Sequence, residues 1–296
     1  MRRGNVLPRI AAVLAIGLTL SVTAAACGKR STGGSDEGAK TVTIGVLQGW
    51  AEDEAVTELW RQALTKKGYT VHTKPLSDAG PMFTGLADGD IDLFLDTWLP
   101  KTHKAYVDRY QSKLEDLGIW YNTASLDFTV PSYVKINSIA ELKGHASEFG
   151  GKITGIEPGA GETAAAKQTI NGYGLSSQYQ LQTSSSPAML AALKAAEQKH
   201  QPIVVTLWHP HWAYSAYKLK DLADPKGLMG AAEKLHSYGT KGFSKNHAQL
   251  AKWLGDFSID DGQLASLENL IQAKGAKAGT AAWTKQNQSF VKGLTA

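Results

Sequence analysis

The sequence predicts an α/β protein of two similar lobes, each a mainly parallel sheet flanked by helices, with a hinge between them. Three observations carry this. Residues 41–96 and residues 151–208 each read strand, helix, strand, helix, strand, and that alternation builds parallel sheets covered on both faces. Trp50, Trp98 and Trp208 each stand where one of these buried strands runs out. About 256 residues follow the leader and tether, enough for two separate cores.

The chain opens on a basic stretch, MRRGNVLPR, followed by the apolar and small-residue run IAAVLAIGLTLSVTAAA and then Cys27. A charged start, an apolar centre and small residues before a cut describe an export signal. The run of about 17 residues is marginal for a membrane span and is followed by a polar segment rather than a second apolar one. Cys27 is the only cysteine, so it has no internal disulfide partner. Its place directly after TAAA reads as the lipid attachment point of a bacterial lipoprotein, although Ala24 stands where such signals ordinarily carry leucine. Ordinary cleavage leaving a spare thiol is the alternative. Residues 1–27 are therefore the signal segment. Residues 28–40, GKRSTGGSDEGAK, carry Gly, Ser and charge with no apolar anchor and read as a flexible tether.

Loss of the signal segment removes Arg2, Arg3 and Arg9 but no acid, so the net charge falls from +4 to +1. A chain that close to neutrality lacks the footprint of a nucleic-acid binder.

The elements follow in order. TVTIGVL is a buried strand, DEAVTELWRQALTKKG an amphipathic helix ending at Gly68, YTVHTKPL a strand, PMFTGLADG a short helix and IDLFLD a strand. DFTVPSYV is extended and broken by Pro131. The cycle repeats with the strand GKITGIE, the helix ETAAAKQTINGYG, the strand QYQLQT, the helix SPAMLAALKAAEQKH and the strand PIVVTLW. From about Met229 the chain reads as helical throughout, beginning with AAEKLHSYG.

A single tryptophan after a strand is ordinarily a core plug, and Trp60, Trp253 and Trp283 on helices and Trp120 in a loop are read that way. Trp50, Trp98 and Trp208 repeat one placement, at the strand ends where ligands of α/β proteins bind. Three indole faces meeting there suit a soft, bulky cation. Nearby, IEPGAGE puts Gly159 and Gly161 between a strand and a helix start, so the amides of Gly161, Glu162 and Thr163 form a ready anion site. Nothing there matches a nucleotide phosphate loop, which needs Lys and Ser/Thr after the last glycine. His103, five residues past Trp98, is either a surface or capping histidine or a further donor to the same anion. His209 and His211 in WHPHW fall on one side of an extended segment, but two histidines do not complete a zinc site. No G-x-S-x-G occurs, so no nucleophile elbow is predicted.

The motifs GWAEDEAVTELW, GPMFTGLADGDIDLFLDTWLPKTHKAY, IEPGAGE, SSSPAMLAAL and PIVVTLWHPHWAY resemble those of the glycine betaine-binding lipoproteins of osmoprotectant ABC transporters. The resemblance implies a two-lobed, type II periplasmic-binding-protein-like fold, with lobe 1 from residues 41–131 plus 238–296 and lobe 2 from 132–237. It implies that Trp50, Trp98 and Trp208 box the trimethylammonium group while the amides of Gly161 and Glu162 and the side chain of His103 hold the carboxylate. The Glu162 side chain is then expected to turn away from that carboxylate. Also implied are a monomer outside the cytoplasm, lipid-anchored through Cys27, and a permease partner with a cytoplasmic ATPase. No cofactor, metal, nucleic acid or catalysis is implied. Choline, carnitine and proline betaine are the alternative ligands within the family. A secreted metal-dependent hydrolase using His209, His211 and a carboxylate is the rival from another class.

Overall fold

A computed structural model describes residues 40–296. The signal segment, Cys27 and the tether before Lys40 lie outside the described residues. Strand β1 (Thr41–Leu47) leads into helix α1 (Ala51–Lys66), β2 (Thr70–Leu76), α2 (Ala79–Asp88) and β3 (Leu93–Leu99). β1 lies between β2 and β3 and is parallel to both. Helix α1 forms because its apolar residues recur at helical spacing, burying Val56, Leu59, Trp60, Ala63 and Leu64. Helix α2 starts where the Asp78 carboxylate accepts the Gly80 N–H and stops at Gly89, whose φ of 79° closes the last turn.

After α3 (Lys104–Tyr110) comes β4 (Leu114–Pro131), then the second cycle of β5 (Lys152–Thr154), α4 (Gly161–Gly172), β6 (Gln180–Gln182), α5 (Ser186–Lys199) and β7 (Val205–His209). β5 is parallel to β6 and β7 and lies between them. Both cycles therefore place their first strand in the middle. The chain continues through α6 (Ala213–Ala216), β8 (Leu219–Asp221) and β9 (Glu233–Thr240), and ends in α7 (Phe243–Asn246), α8 (Ala248–Gly255), α9 (Asp261–Lys274), α10 (Ala276–Gln286) and α11 (Gln288–Gly293).

The two parallel halves meet through β4 and β9. The strand order is β2-β1-β3-β9-β4-β7-β5-β6, with β8 also paired to β4. The first part of β4, from Leu114 to Ala124, runs antiparallel to β9, and the second, from Ser125 to Pro131, runs antiparallel to β7 and β8. One continuous strand thus serves both halves.

AAEKLHSYG is not helical, because β9 inserts between β3 and β4. Its buried residues Glu233, Leu235 and Ser237 alternate with more exposed ones, the period of a strand. Trp120 is not in a loop but in β4, fully buried, with its indole N–H donating to the Leu95 carbonyl at 2.5 Å. Trp120 stacks on Phe257 at 5.9 Å, and Trp60 meets the same ring edge-on at 5.4 Å. These rings form part of the core between the first half-sheet and the C-terminal helices. Truncating either tryptophan removes a large, fully buried side chain, so Trp60→Ala and Trp120→Ala should each cost about 3–5 kcal/mol. Urea denaturation checks this; a loss under about 1 kcal/mol would contradict their core role.

Candidate ligand-binding site

The chain folds so that three strand ends deliver three indoles to one place. Past β1, the turn is tied to the first turn of α1: the Leu47 N–H donates to Asp53 at 2.6 Å and the Gly49 N–H to Glu54 at 2.8 Å. Gly49 takes a φ of 86°, which a side chain would resist. Trp50 then caps α1. Past β3, the turn is tied to β9: Glu233 accepts the Lys101 and Thr102 N–H groups at 2.7 and 2.9 Å, and also the Thr102 hydroxyl. Trp208 lies in the last turn-ward residues of β7.

Trp50, Trp98 and Trp208 line one cavity, with Glu52, Thr102, Glu162 and three apolar side chains. The Trp50 and Trp208 rings are 6.4 Å apart and inclined by 55°. All three indole N–H groups end on carboxylates: Trp50 on Glu157 at 3.4 Å, Trp98 on Asp96 at 2.9 Å and Trp208 on Glu52 at 2.7 Å. Such bonds use the ring edges and leave the π faces for a ligand. They also push electron density into the rings, which favours a cation over their faces.

The acids around the cavity have no basic neighbour in its lining. Burial raises the pKa of Glu52 to about 7 and holds Asp53, Asp96 and Glu162 well above the usual carboxylate range. For Glu162 the nearby Asp127 adds to the rise, and the Thr206 hydroxyl offsets only part of it. Glu162 lines the cavity, buried, as a carboxylic acid.

Helix α4 begins at Gly161 with no side-chain cap. Among the described residues the amides of Gly161, Glu162 and Thr163 donate to no acceptor, as first-turn amides do without a cap. A Cβ on Gly161 would come within 2.4 Å of the Thr102 carbonyl and methyl. The α4 start and the turn after β3 therefore touch directly, which only glycine permits.

His103 is fully buried, follows Thr102 and is not itself in the cavity lining. Its Nδ1 accepts the Trp98 N–H at 2.9 Å, which assigns the proton to Nε2. Burial lowers its pKa to about 3, so the ring is neutral. It stacks on Trp50 at 5.7 Å and 5°, and Nε2 has no partner among the described residues.

His209 and His211 do not converge. His209 pairs with Asp221 at 2.8 Å and stacks on Tyr214, whereas His211 is buried edge-on to Trp208. His209 instead falls within 4.8 Å of Asp127 and Asp221. Ser125, Thr129 and Tyr214 already donate to those two carboxylates.

Residues 40–286 match the model of the substrate-binding domain of ABC-type glycine betaine transport systems. The chain belongs to that family. It is similar to the glycine betaine/L-proline-binding protein of Borrelia burgdorferi, at 32% identity and a TM-score of 0.81, over 86% of this chain and 97% of that one. A lactococcal relative solved closed with glycine betaine gives 34% identity and a TM-score of 0.81 over 86% of this chain and 99% of that one. A glycine betaine/carnitine transport binding protein of Listeria monocytogenes serotype 1/2a (strain 10403S) is 42% identical over 106 residues, 36% of this chain and 35% of that protein. The matched stretch thus spans only about a third of the Listeria relative. The glycine betaine-binding family comprises solute-binding proteins rather than enzymes, and nothing supports the hydrolase reading.

Sequence reasoning missed Glu52, Glu157 and Glu233 as parts of this site. Only the acid-rich WAEDE stretch signalled one of them, and acids in a first helical turn are ordinarily read as partners of the helix dipole. The contact at Gly161 is directly testable. Gly161→Ala should destabilise by about 1–3 kcal/mol through overpacking, whereas Gly293→Ala, which meets no atom within 4 Å, should be neutral or slightly stabilising. Thermal melts of both variants decide it, and equal melting temperatures would refute the close approach.

Proposed function

We propose that this protein captures glycine betaine outside the cytoplasm and delivers it to an ABC permease driven by a cytoplasmic ATPase. One observation supports this reading above others: three indole faces bound a cavity ringed by buried acids with no base in its lining. A trimethylammonium group has no N–H and must be recognised by π faces and negative potential, each face being worth about 0.5–2 kcal/mol. Its carboxylate is matched by the free amides of Gly161 and Glu162 at the positive end of α4 and by the Nε2–H of His103, one residue beyond the lining Thr102. Trp50, Trp98 and Trp208 are the cage, and the binding set is those six residues.

Trp50 and Trp98 come from residues 41–131, which with 238–296 form one lobe, and Trp208 and the α4 start from residues 132–237, the other. Ligand bridging both would favour closure about β4 and β9. The protein acts as a monomer and needs no cofactor.

Selectivity tests both ends of the site. Choline keeps the trimethylammonium group but has a hydroxyl for the carboxylate, and hydrogen bonds to charged groups are worth about 1.5–3 kcal/mol each. Glycine betaine should bind at least about tenfold more tightly than choline, which needs only about 1.4 kcal/mol. Titration calorimetry with both ligands checks this. Trp→Ala at positions 50, 98 or 208 should weaken both, and His103→Ala should weaken betaine more. Equal or tighter choline binding would move the reading to a choline-, carnitine- or proline betaine-preferring member.

Cys27 is proposed as the lipid anchor. No helix among the described residues is long and apolar enough to cross a membrane, and one acyl-modified residue with further chains would hold the protein at the surface. Cys27→Ala should appear unprocessed or released into the medium in cell fractionation. Fully processed protein retained normally at the membrane would count against the anchor.

A further inference from the structure

The cage indoles are not held independently. Glu52, on α1, accepts the Trp208 N–H through Oε2, and Asp96, on β3, accepts the Trp98 N–H through Oδ1. Their remaining oxygens, Glu52 Oε1 and Asp96 Oδ2, are buried and receive no N–H or hydroxyl donor. The two carboxyl groups nevertheless lie within hydrogen-bonding reach of each other. As two carboxylates both groups are acceptors only, and their charges repel. A proton between them turns one into a donor and satisfies both oxygens.

We propose that Glu52 and Asp96 form a proton-sharing carboxyl pair that positions Trp208 and Trp98, and that loses one proton to solvent when a quaternary-ammonium ligand enters the cage. This deepens the proposed function and rests on it. Ligand-free protein at mildly acidic pH holds a proton on each carboxyl group. When the onium group arrives, one O–H bond breaks, the proton passes to buffer base, and the pair keeps one proton between Oε1 and Oδ2. The Trp208 N–H then donates to a carboxyl group carrying negative charge, so loss of the proton strengthens a cage hydrogen bond as it strengthens the field on the ligand.

The surroundings set the pH range. Glu52 meets Asp96 on β3, and the charges of Asp53 and Glu54 on its own helix, of Glu162 on α4 and of Glu268 on α9 bear on the same group. All are acids. Burial puts Glu52 at about 7 and keeps Asp53, Asp96, Glu162 and Glu268 well above the carboxylate range, so Glu52 is the group that titrates near neutrality. A cation beside a carboxyl group favours its charged form and lowers its pKa. The complex then binds fewer protons than the free protein, and affinity rises with pH up to about 7 and levels off above it.

The experiment is titration calorimetry of the wild-type mature protein with glycine betaine from pH 5.5 to 8, in buffers of different ionisation enthalpy. The expected result is release of a substantial fraction of one proton near pH 6–7 and an affinity at pH 5.5 several-fold weaker than at pH 7.5. Glu52→Gln keeps an acceptor for the Trp208 N–H but cannot ionise. Its affinity should be flat across the range, with no proton released. Asp96→Asn should shift the midpoint, because the pair titrates as a unit. Wild-type binding with a flat profile and no proton release overturns the inference alone. Failure of the wild type to bind any of glycine betaine, choline, carnitine or proline betaine overturns the proposed function and the inference with it.

Discussion

Carboxyl groups buried without a base are the constraint on which the rest of this site depends. Glu52, Asp53, Asp96 and Glu162 are each nearly inaccessible, and none can ionise cheaply in that setting. Glu52, Asp53 and Asp96 are tolerated because indole, amide and hydroxyl donors are directed at them, two of those donors being the indoles of Trp208 and Trp98. The same arrangement leaves the cavity walls as π faces backed by acidic oxygens. An anion finds no counter-charge there, an ordinary ammonium would leave N–H groups facing rings, and a fully alkylated ammonium loses nothing by being dry.

Support for the cage reaches well beyond it. β9 runs between β3 and β4 and carries Glu233, whose carboxylate holds the amides of Lys101 and Thr102. That turn fixes His103, and His103 fixes the Trp98 amide in return. Glu157 joins Trp50 to the start of α5, where it also accepts the Ser186 N–H at 2.7 Å. Bonds from Trp50 to Glu157 and from Trp208 to Glu52 run in opposite senses between the two half-sheets. Those bonds tie two of the indoles to both half-sheets at once, and the α4 start touches the turn after β3 where Gly161 meets Thr102.

Much of this was readable before any coordinates. The two strand and helix cycles show as alternating apolar runs and amphipathic stretches, and the elements that carry the indoles and the free amides fall where those periods place them. The strand-end position of Trp50, Trp98 and Trp208 is a consequence of local pattern alone. β9 was not readable, because Ala231, Ala232 and Glu233 are good helix formers and the strands that override them, β3 and β4, lie well over a hundred positions away. Trp120 was misplaced for the same kind of reason: its strand is defined by partners in β9 and not by its own neighbours.

The sequence by itself determined the order of the elements, which strand ends bear aromatic rings, and which helix begins with uncapped amides, since each follows from short-range periodicity and residue type. Only the tertiary structure decided which oxygen receives each indole N–H, that Glu162 lines the cavity, that His103 presents Nε2 as its donor, and that Glu52 meets Asp96. Those are distances between residues remote in the chain, together with the loss of water around them. A carboxyl group's charge in particular depends on its burial and its neighbours, and no local pattern carries that information.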